Sequence, residues 1–398
     1  MNRNIRLGYW LIAINNAFFW YAPWLLFLYQ FIDIKQATTL QLVGLLTGMV
    51  AEVPTGALAD LIGKKRTLAI AFALTAAGEV AMAFSSSFVF FSLAYVVMGL
   101  GYSFYSGTID AFMYDSLVED GAEDRYPAVL SRSSAYLNIS TAIATIVGGL
   151  LYRFWGGLPF LITGLTKIVG LCISLMIKEP KVDTFVFSMS NFLKQNMKGL
   201  AHLFNRNMVD KTLLLILMGS FSTVAYEILD DVAVVDWGYN ATGISILYTA
   251  VIVLSVPSGL FYDRVARRIK PSLLVAGGIL ILGINYLFAP LINSFIWTTI
   301  FLVRVVYGPI KKAAITETIN QGVTSNIRAT TLSTYELLIR IPFVVFGVAI
   351  GSAMQGWGVR NFSMIFSFTL LGFFAVYLLF SRLRRRLAVR ESVDFGVK

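Results

Sequence analysis

Cysteine and histidine are almost absent from this chain of 398 residues, which holds one of each, Cys172 and His202. A disulfide within the chain is impossible, and a metal site of imidazole and thiolate ligands is not expected. Charge is scarce as well: 14% of the residues are Asp, Glu, Lys or Arg, against about 25% in soluble domains. No Gly-x-x-x-x-Gly-Lys-Ser/Thr segment is present to cradle a nucleotide phosphate, and no Ser/His pair or metal-ligand cluster suggests an enzyme. No cofactor is expected. What the chain has in excess is apolar surface, with 57% hydrophobic residues and 31 Phe. A soluble protein of this length leaves too much of every domain facing water to hide that much; a lipid bilayer accommodates it. The formal net charge of +10 would suggest nucleic acid in a soluble protein. Here the basic residues lie in short connections between apolar runs, which is how membrane topology is written, so no nucleic-acid partner is expected.

Runs of about 20 apolar residues, enough for a hydrocarbon layer of about 30 Å, recur along the whole chain. They lie at about 8–30, 38–60, 67–86, 88–110, 129–152, 158–178, 212–235, 241–262, 271–290, 294–316, 329–352 and 360–381. An all-α membrane protein of twelve transmembrane helices is the expected fold class, because lipid leaves the backbone amides no other partner. The first run is too long and aromatic for a signal peptide, and no small-residue cleavage site follows it. Basic residues sort by side. About 26 of the 32 fall on one face, among them Arg3, Arg6, Lys64, Lys178, Lys198, Arg267 and Arg382, whereas Lys35, Arg153 and Arg360 fall on the other. Both termini are then cytoplasmic and the chain is a multi-pass protein of the plasma membrane. A monomer is expected.

The longest connection, 179–211, carries Phe185, Met189, Phe192, Met197, Leu200 and Leu203 at helical spacing, with Lys194, Lys198 and Arg206 interleaved. It reads as an amphipathic helix at the cytoplasmic interface, with a soluble linker as the plainer alternative. The expected organisation is a six-helix bundle over 1–178, this linker over 179–211, and a second six-helix bundle over 212–398. The halves repeat. Val53-Pro54-Thr55-Gly56-Ala57-Leu58-Ala59-Asp60 is echoed by Val256-Pro257-Ser258-Gly259-Leu260-Phe261-Tyr262-Asp263, and in each half the segment ends the second span and leads into a basic turn. Two copies in the same orientation imply repeats related by an axis along the membrane normal.

The segment Gly56-Ala57-Leu58-Ala59-Asp60-Leu61-Ile62-Gly63-Lys64-Lys65-Arg66 resembles the signature between spans two and three of the major facilitator superfamily. It departs from it at Leu61, where the family often carries Arg or Lys. The second copy keeps Gly259, Asp263, Arg264 and Arg267-Arg268 but lacks the second glycine. With the twelve runs and the long central loop, the resemblance covers nearly the whole chain. Gly56 permits close helix packing, Asp60 can meet a neighbouring helix N-terminus, and the basic turn can reach Asp115 at the end of span four. The resemblance implies that Gly56, Asp60, Gly63, Lys64, Lys65, Arg66, Asp115, Gly259, Asp263 and Arg264 form a gate that latches the cytoplasmic side. The alternative is a well-capped turn and nothing more. Arg304 precedes Gly308 by four residues, a spacing that the family shows in span four, where this chain has Tyr95 before Gly99. Gly148-Gly149 resembles the end of the antiporter signature without its Gly-Pro.

The resemblance further implies that spans one, four, seven and ten line a central cavity. Span one would contribute Asn15, Asn16, Trp20 and Tyr21, span four Ser103, Ser106 and Asp110, span seven Glu227, Asp230 and Asp231, and span ten Arg304. Ionisable groups in a bilayer cost about 2.5–3.5 kcal/mol each even on insertion scales, so each asks for a partner or a function. In a regular helix Glu227 and Asp231 share a face, and clustered carboxylates hold one another's protons. Glu227 or Asp230 is thus the candidate proton-coupling or cation-binding group, with Arg304 as its counter-ion or as the anchor of an anionic substrate. A structural Glu–Arg pair is the competing reading. Lys167, deep in span six, must find an acid or snorkel, and Glu79 lies in span three. The function expected is secondary transport of a small organic solute by alternating access, with protons as partner and export favoured. Uptake of a metabolite by symport, and a membrane sensor that has lost transport, are the alternatives.

Overall fold

Helix is the only regular structure among the residues that the computed structural model describes, 3–181, 189–205, 208–321, 323 and 325–394. In order, the helices are α1 (Arg3–Asn15), α2 (Trp24–Leu28), α3 (Ile34–Ile62), α4 (Lys64–Phe84), α5 (Phe88–Val118), α6 (Tyr126–Leu151), α7 (Leu158–Met176), α8 (Met189–Leu203) and α9 (Val209–Val224). They continue as α10 (Asp230–Asp236), α11 (Ala241–Leu260), α12 (Tyr262–Ala266), α13 (Pro271–Leu287), α14 (Ser294–Val306), α15 (Gly308–Asn320), α16 (Ser325–Trp357) and α17 (Val359–Asp394). Eight helices among the described residues are long and apolar enough to cross a membrane. The remaining apolar runs are helical too, several of them short or interrupted. Large apolar side chains stay exposed at helical spacing, as at Phe368, Phe373, Val376 and Leu379 of α17, which suits a lipid-facing stripe rather than a wet one.

Three expected spans are not regular helices. The run 8–30 stops at Asn15, passes through non-helical turns, and resumes as the short α2 behind Pro23. Polar side chains favour such ends: Asn16 Nδ2 donates back to the Ile12 carbonyl at 2.8 Å. Neighbours hold the break open. Phe19 N donates to Thr163 Oγ1 at 3.1 Å, and a Cβ on Gly148 would stand 1.6 Å from the Phe19 carbonyl oxygen, so only glycine lets α6 pass there. Span seven contains a π-helical turn, Ala225–Leu229, between α9 and α10. Its wider turn shifts the faces, so the spacing of a regular helix does not place Glu227 and Asp231 on one side. Span ten breaks at Tyr307, where Pro309 begins α15 without an amide hydrogen to continue the ladder.

The chain divides into two compact units. The first comprises 1–192, 234–253 and 347–355. Its core packs Tyr9, Leu11, Leu68, Phe72, Phe112 and Ile177 from α1, α4, α5 and the end of span six. The ends of α11 and α16 belong to it: Gly149 of α6 lies against Ser245, and Gly347 against Leu42 of α3. The second unit comprises 193–233, 254–346 and 356–398. Here Trp297, Tyr286 and Phe366 stack edge to edge, and Ser367 Oγ donates to the Gly283 carbonyl at 2.6 Å, joining α17 to α13. The helix α8 packs into the same unit, with Thr334 Oγ1 donating to Asn196 Oδ1 at 3.1 Å.

Candidate functional site

The second unit holds a cleft of about 520 Å³. The π-turn supplies Glu227, α10 begins with Asp230, α14 brings Arg304, α15 brings Lys311 and Lys312, and α16 brings Glu336 and Arg340. Arg304 Nη2 stands 2.6 Å from Asp230 Oδ1, both side chains being 13% exposed. The Tyr286 hydroxyl, from α13, donates to the same carboxylate oxygen. The guanidinium also lies over the rings of Phe301 at 5.2 Å and Tyr286 at 5.7 Å. A charge this poorly solvated needs such partners. Asp230 is thus paired with Arg304, and Glu227 lies in the field of Arg340.

Lys311, within the run 294–316, is a cleft residue that the sequence did not single out. It is partly buried and donates from Nζ to Ser222 Oγ at 3.0 Å. The signal was its place two turns after Arg304. Four cations, Arg304, Lys311, Lys312 and Arg340, line the cleft against three carboxylates, Glu227, Asp230 and Glu336, a surplus of one positive charge. Tyr226, Tyr307 and Tyr335 add aromatic and hydroxyl surface. A cleft of this make-up can bind a small polar organic molecule, above all one with a carboxylate or a zwitterionic end.

In the first unit the basic turn is tied on two sides. Lys64 forms an ion pair with Asp115 of α5. Glu179, which the sequence reading did not single out, accepts from the backbone N–H groups of Lys64 at 2.7 Å and Lys65 at 2.8 Å. A carboxylate at a helix N-terminus meets both the orphan amides and the positive end of the dipole. Gly63 makes this possible with a φ of 87° and with its missing side chain, since a Cβ would lie 2.9 Å from the Glu179 carboxyl. The signal was an acid placed directly after span six. Gly56 has open space around it, Lys65 is half-buried and Arg66 is exposed. The Asp60 side chain lies outside the described residues. The second copy is built differently: Tyr262 Oη donates to Glu317 Oε2 at 2.5 Å. Arg264 lies over Phe261 at 5.7 Å, Gly259 approaches Pro309, and Asp263 is exposed.

The remaining candidates also lie in the first unit. Asp110 is exposed on α5. Asn15 is buried at the end of α1, and Trp20 stacks on Phe160 with ring centroids 5.4 Å apart. Lys167 does not snorkel, being fully buried, and among the described residues it forms no ion pair. Its ammonium donates to the Asn15 carbonyl and, at 3.3 Å, to that of Ile14.

Comparison with known proteins adds three findings. A family model for the Major Facilitator Superfamily matches residues 6–347. A stretch of 183 residues, 45% of this chain, is 27% identical to the uncharacterized MFS-type transporter YxaM of Bacillus subtilis (strain 168), and it spans 44% of that relative, less than half its length. Among solved structures, a mutant of the nucleoside transporter NupG matches with a TM-score of 0.80 at 13% identity, over 95% of this chain and 99% of the other. A POT family transporter in complex with 5-aminolevulinic acid matches with a TM-score of 0.71 at 13% identity, over 96% of each chain. At that identity the likeness speaks for the fold alone.

Proposed function

The chain belongs to the major facilitator superfamily of membrane transporters, and from that premise we propose that it moves a small organic solute across the cell membrane by alternating access, coupled to protons and directed outward. The twelve apolar runs then cross the plasma membrane as two six-helix bundles, 1–178 and 212–398, joined by 179–211, with both termini in the cytoplasm. The observation that carries the reading is the Asp230–Arg304–Tyr286 cluster facing a cleft of about 520 Å³. An ion pair out of water is held only while both partners keep their charge. A proton arriving on Asp230 or Glu227 cancels one carboxylate, frees its cation for the solute, and makes binding and protonation depend on each other. The turn Gly63-Lys64-Lys65-Arg66, tied to Asp115 and Glu179, is the element whose contacts are made and broken as the halves rock. Gly259, Asp263 and Arg264 serve the second half. The four cations of the cleft favour a solute with an anionic group, and they keep uptake of such a metabolite as the second reading.

The test is transport in liposomes loaded with a pH-sensitive dye, under an imposed proton gradient, across a panel of carboxylate, zwitterionic and cationic solutes. Proton flux triggered by one class, and lost in Asp230→Asn, supports coupled transport; its sign across oriented vesicles separates export from uptake. Folded protein that moves none of the solutes and binds none of them refutes the reading.

A further inference from the structure

Among the described residues, two fully buried charged side chains lie away from the cleft. Glu79 of α4 and Lys167 of α7 are both 0% exposed, inside the first unit. An ammonium has three N–H donors, and Lys167 directs its donors to the carbonyls of Ile14 and Asn15, at the last turn of α1. A helix end leaves such carbonyls without an amide one turn on; that of Ile14 also accepts from Ala17 N at 3.3 Å. Thr163, one turn earlier on α7, holds Phe19 N in the same break at 3.1 Å. One face of α7 thus fixes the interruption in span one.

Glu79 stands beside this arrangement without closing it. Its Oε1 accepts from the Tyr102 hydroxyl of α5 at 2.9 Å. The same Tyr102 ring lies 5.7 Å from the Lys167 ammonium, and the Phe18 ring lies 4.6 Å from it. The Trp20 indole N–H lies against the carboxylate, yet both Trp20 Nε1 and Glu79 Oε2 are buried with no hydrogen-bond partner. Among the described residues no ion pair joins Glu79 and Lys167, although each acts on the other's charge. The charged and titratable groups facing Glu79 are therefore Lys167 from α7 and Tyr102 from α5, with the Trp20 N–H from the break; Tyr95 lies behind Tyr102.

One buried ammonium thus has two kinds of acceptor around it: the carbonyls of the break, which it now holds, and the carboxylate of Glu79, whose charge it feels. We infer that Glu79 is a proton-binding site of the first bundle, and that Lys167 carries its charge state to the break in span one. Neutral Glu79 leaves the ammonium on Ile14 and Asn15 and the break is pinned. When Glu79 gives its proton to water, the carboxylate draws the ammonium onto Oε2, because two opposite charges out of water are stable only together. The carbonyls of span one are then released. Lys167 keeps its own proton throughout, and the only bond exchanged is the carboxyl O–H. This site is independent of the Asp230 cluster and lies in the other unit.

The test reads the break directly. A thiol is placed there as Ala17→Cys, with the native Cys172 changed to Ser, and its labelling rate is divided by that of a Leu61→Cys thiol, Leu61 being 78% exposed. The ratio corrects for reagent reactivity, and the Glu79→Gln/Lys167→Met background, which carries the same two thiols, corrects for their own titration. From acid to alkaline pH the ratio is expected to rise several-fold more in the otherwise native chain than in that double variant. A flat ratio in the native background, a fall with pH, or the same rise in the double variant overturns the inference. Unsubstituted protein supplies a second measurement, which stands if the double variant does not fold. Its infrared difference spectrum between acid and alkaline pH is expected to show a buried carboxyl band that vanishes in Glu79→Gln alone; no such band in the native protein also overturns it. Loss of solute transport in Asp230→Asn leaves both readouts unchanged, so the two sites fail separately.

Discussion

Asp230→Asn is the most informative single change in the cleft. It keeps the shape of the side chain and removes the charge that Arg304 meets at 2.6 Å. The two side chains are 13% exposed, so water cannot replace the lost partner well. Breaking a buried pair from one side costs about 3–5 kcal/mol, against about 0–1 kcal/mol for an exposed pair. Some exposure remains, so a loss of about 3 kcal/mol, the lower end of that range, is expected. Tyr286→Phe removes only the hydroxyl donor to the same oxygen and should cost about 1.5–3 kcal/mol, the usual worth of a hydrogen bond to a charged group. Arg304→Gln alone should cost as Asp230→Asn does. The double variant Asp230→Asn/Arg304→Gln removes both charges, and its loss should fall short of the sum by about 2–3 kcal/mol. Reversible denaturant unfolding in detergent, followed by tryptophan fluorescence, gives the four corners of the cycle. A single-variant loss below about 1 kcal/mol, additive in the double variant, would refute the argument. The cleft would then be wet enough to screen its charges, and proton coupling through Asp230 would lose its physical basis.

Three further outcomes are expected. Gly148→Ala puts a Cβ 1.6 Å from the Phe19 carbonyl oxygen and should cost at least the about 1–3 kcal/mol of overpacking. Gly107→Ala on α5, with nothing within 4 Å, should be neutral or gain up to about 1 kcal/mol of helix propensity; equal melting temperatures would show that the break is not held by α6. Gly63→Ala must adopt a φ of 87° and displace Glu179. It should cost more than Glu179→Gln, which keeps one oxygen for one of the two amides, turns an NH2 donor toward the other and loses about 0.3–1 kcal/mol of charge–dipole attraction as well; the reverse order in thermal melts would contradict the capping geometry. Lys311→Met removes an ammonium whose described hydrogen bond goes to neutral Ser222. The fold should be unharmed or gain about 1 kcal/mol, while the KM for an anionic solute rises at unchanged expression; an unchanged KM would place the anion elsewhere.

Much of the fold is legible in the residues because lipid imposes one rule on every span. The runs at 67–86, 88–110 and 158–178 correspond to α4, α5 and α7 within a few residues at most ends, since length and apolarity alone decide them. The partnership of Lys64 with Asp115 was also readable, as a basic turn facing an acid at the end of a neighbouring span. The interruptions were not. Composition makes 8–30 a single apolar run, yet span one stops where Lys167, Thr163 and Gly148, more than a hundred residues away, take up or make room for its backbone groups. The π-turn at Ala225–Leu229 likewise leaves no mark in hydropathy.

Sequence by itself determined the class of the molecule: 57% hydrophobic residues with 14% charge commit the chain to a bilayer. It also named which charges had to be explained, because a charged side chain within an apolar run is costly wherever the chain places it. Only the tertiary structure decided how each is compensated. Asp230 goes to Arg304 and Tyr286, Lys64 to Asp115, and Lys167 to the carbonyls of Ile14 and Asn15, while Glu227 lies in the field of Arg340. The reason is range. Hydrophobic burial needs only the composition of a segment, whereas a hydrogen bond or ion pair out of water needs its partner within about 3 Å, and which partner that is depends on how distant helices pack.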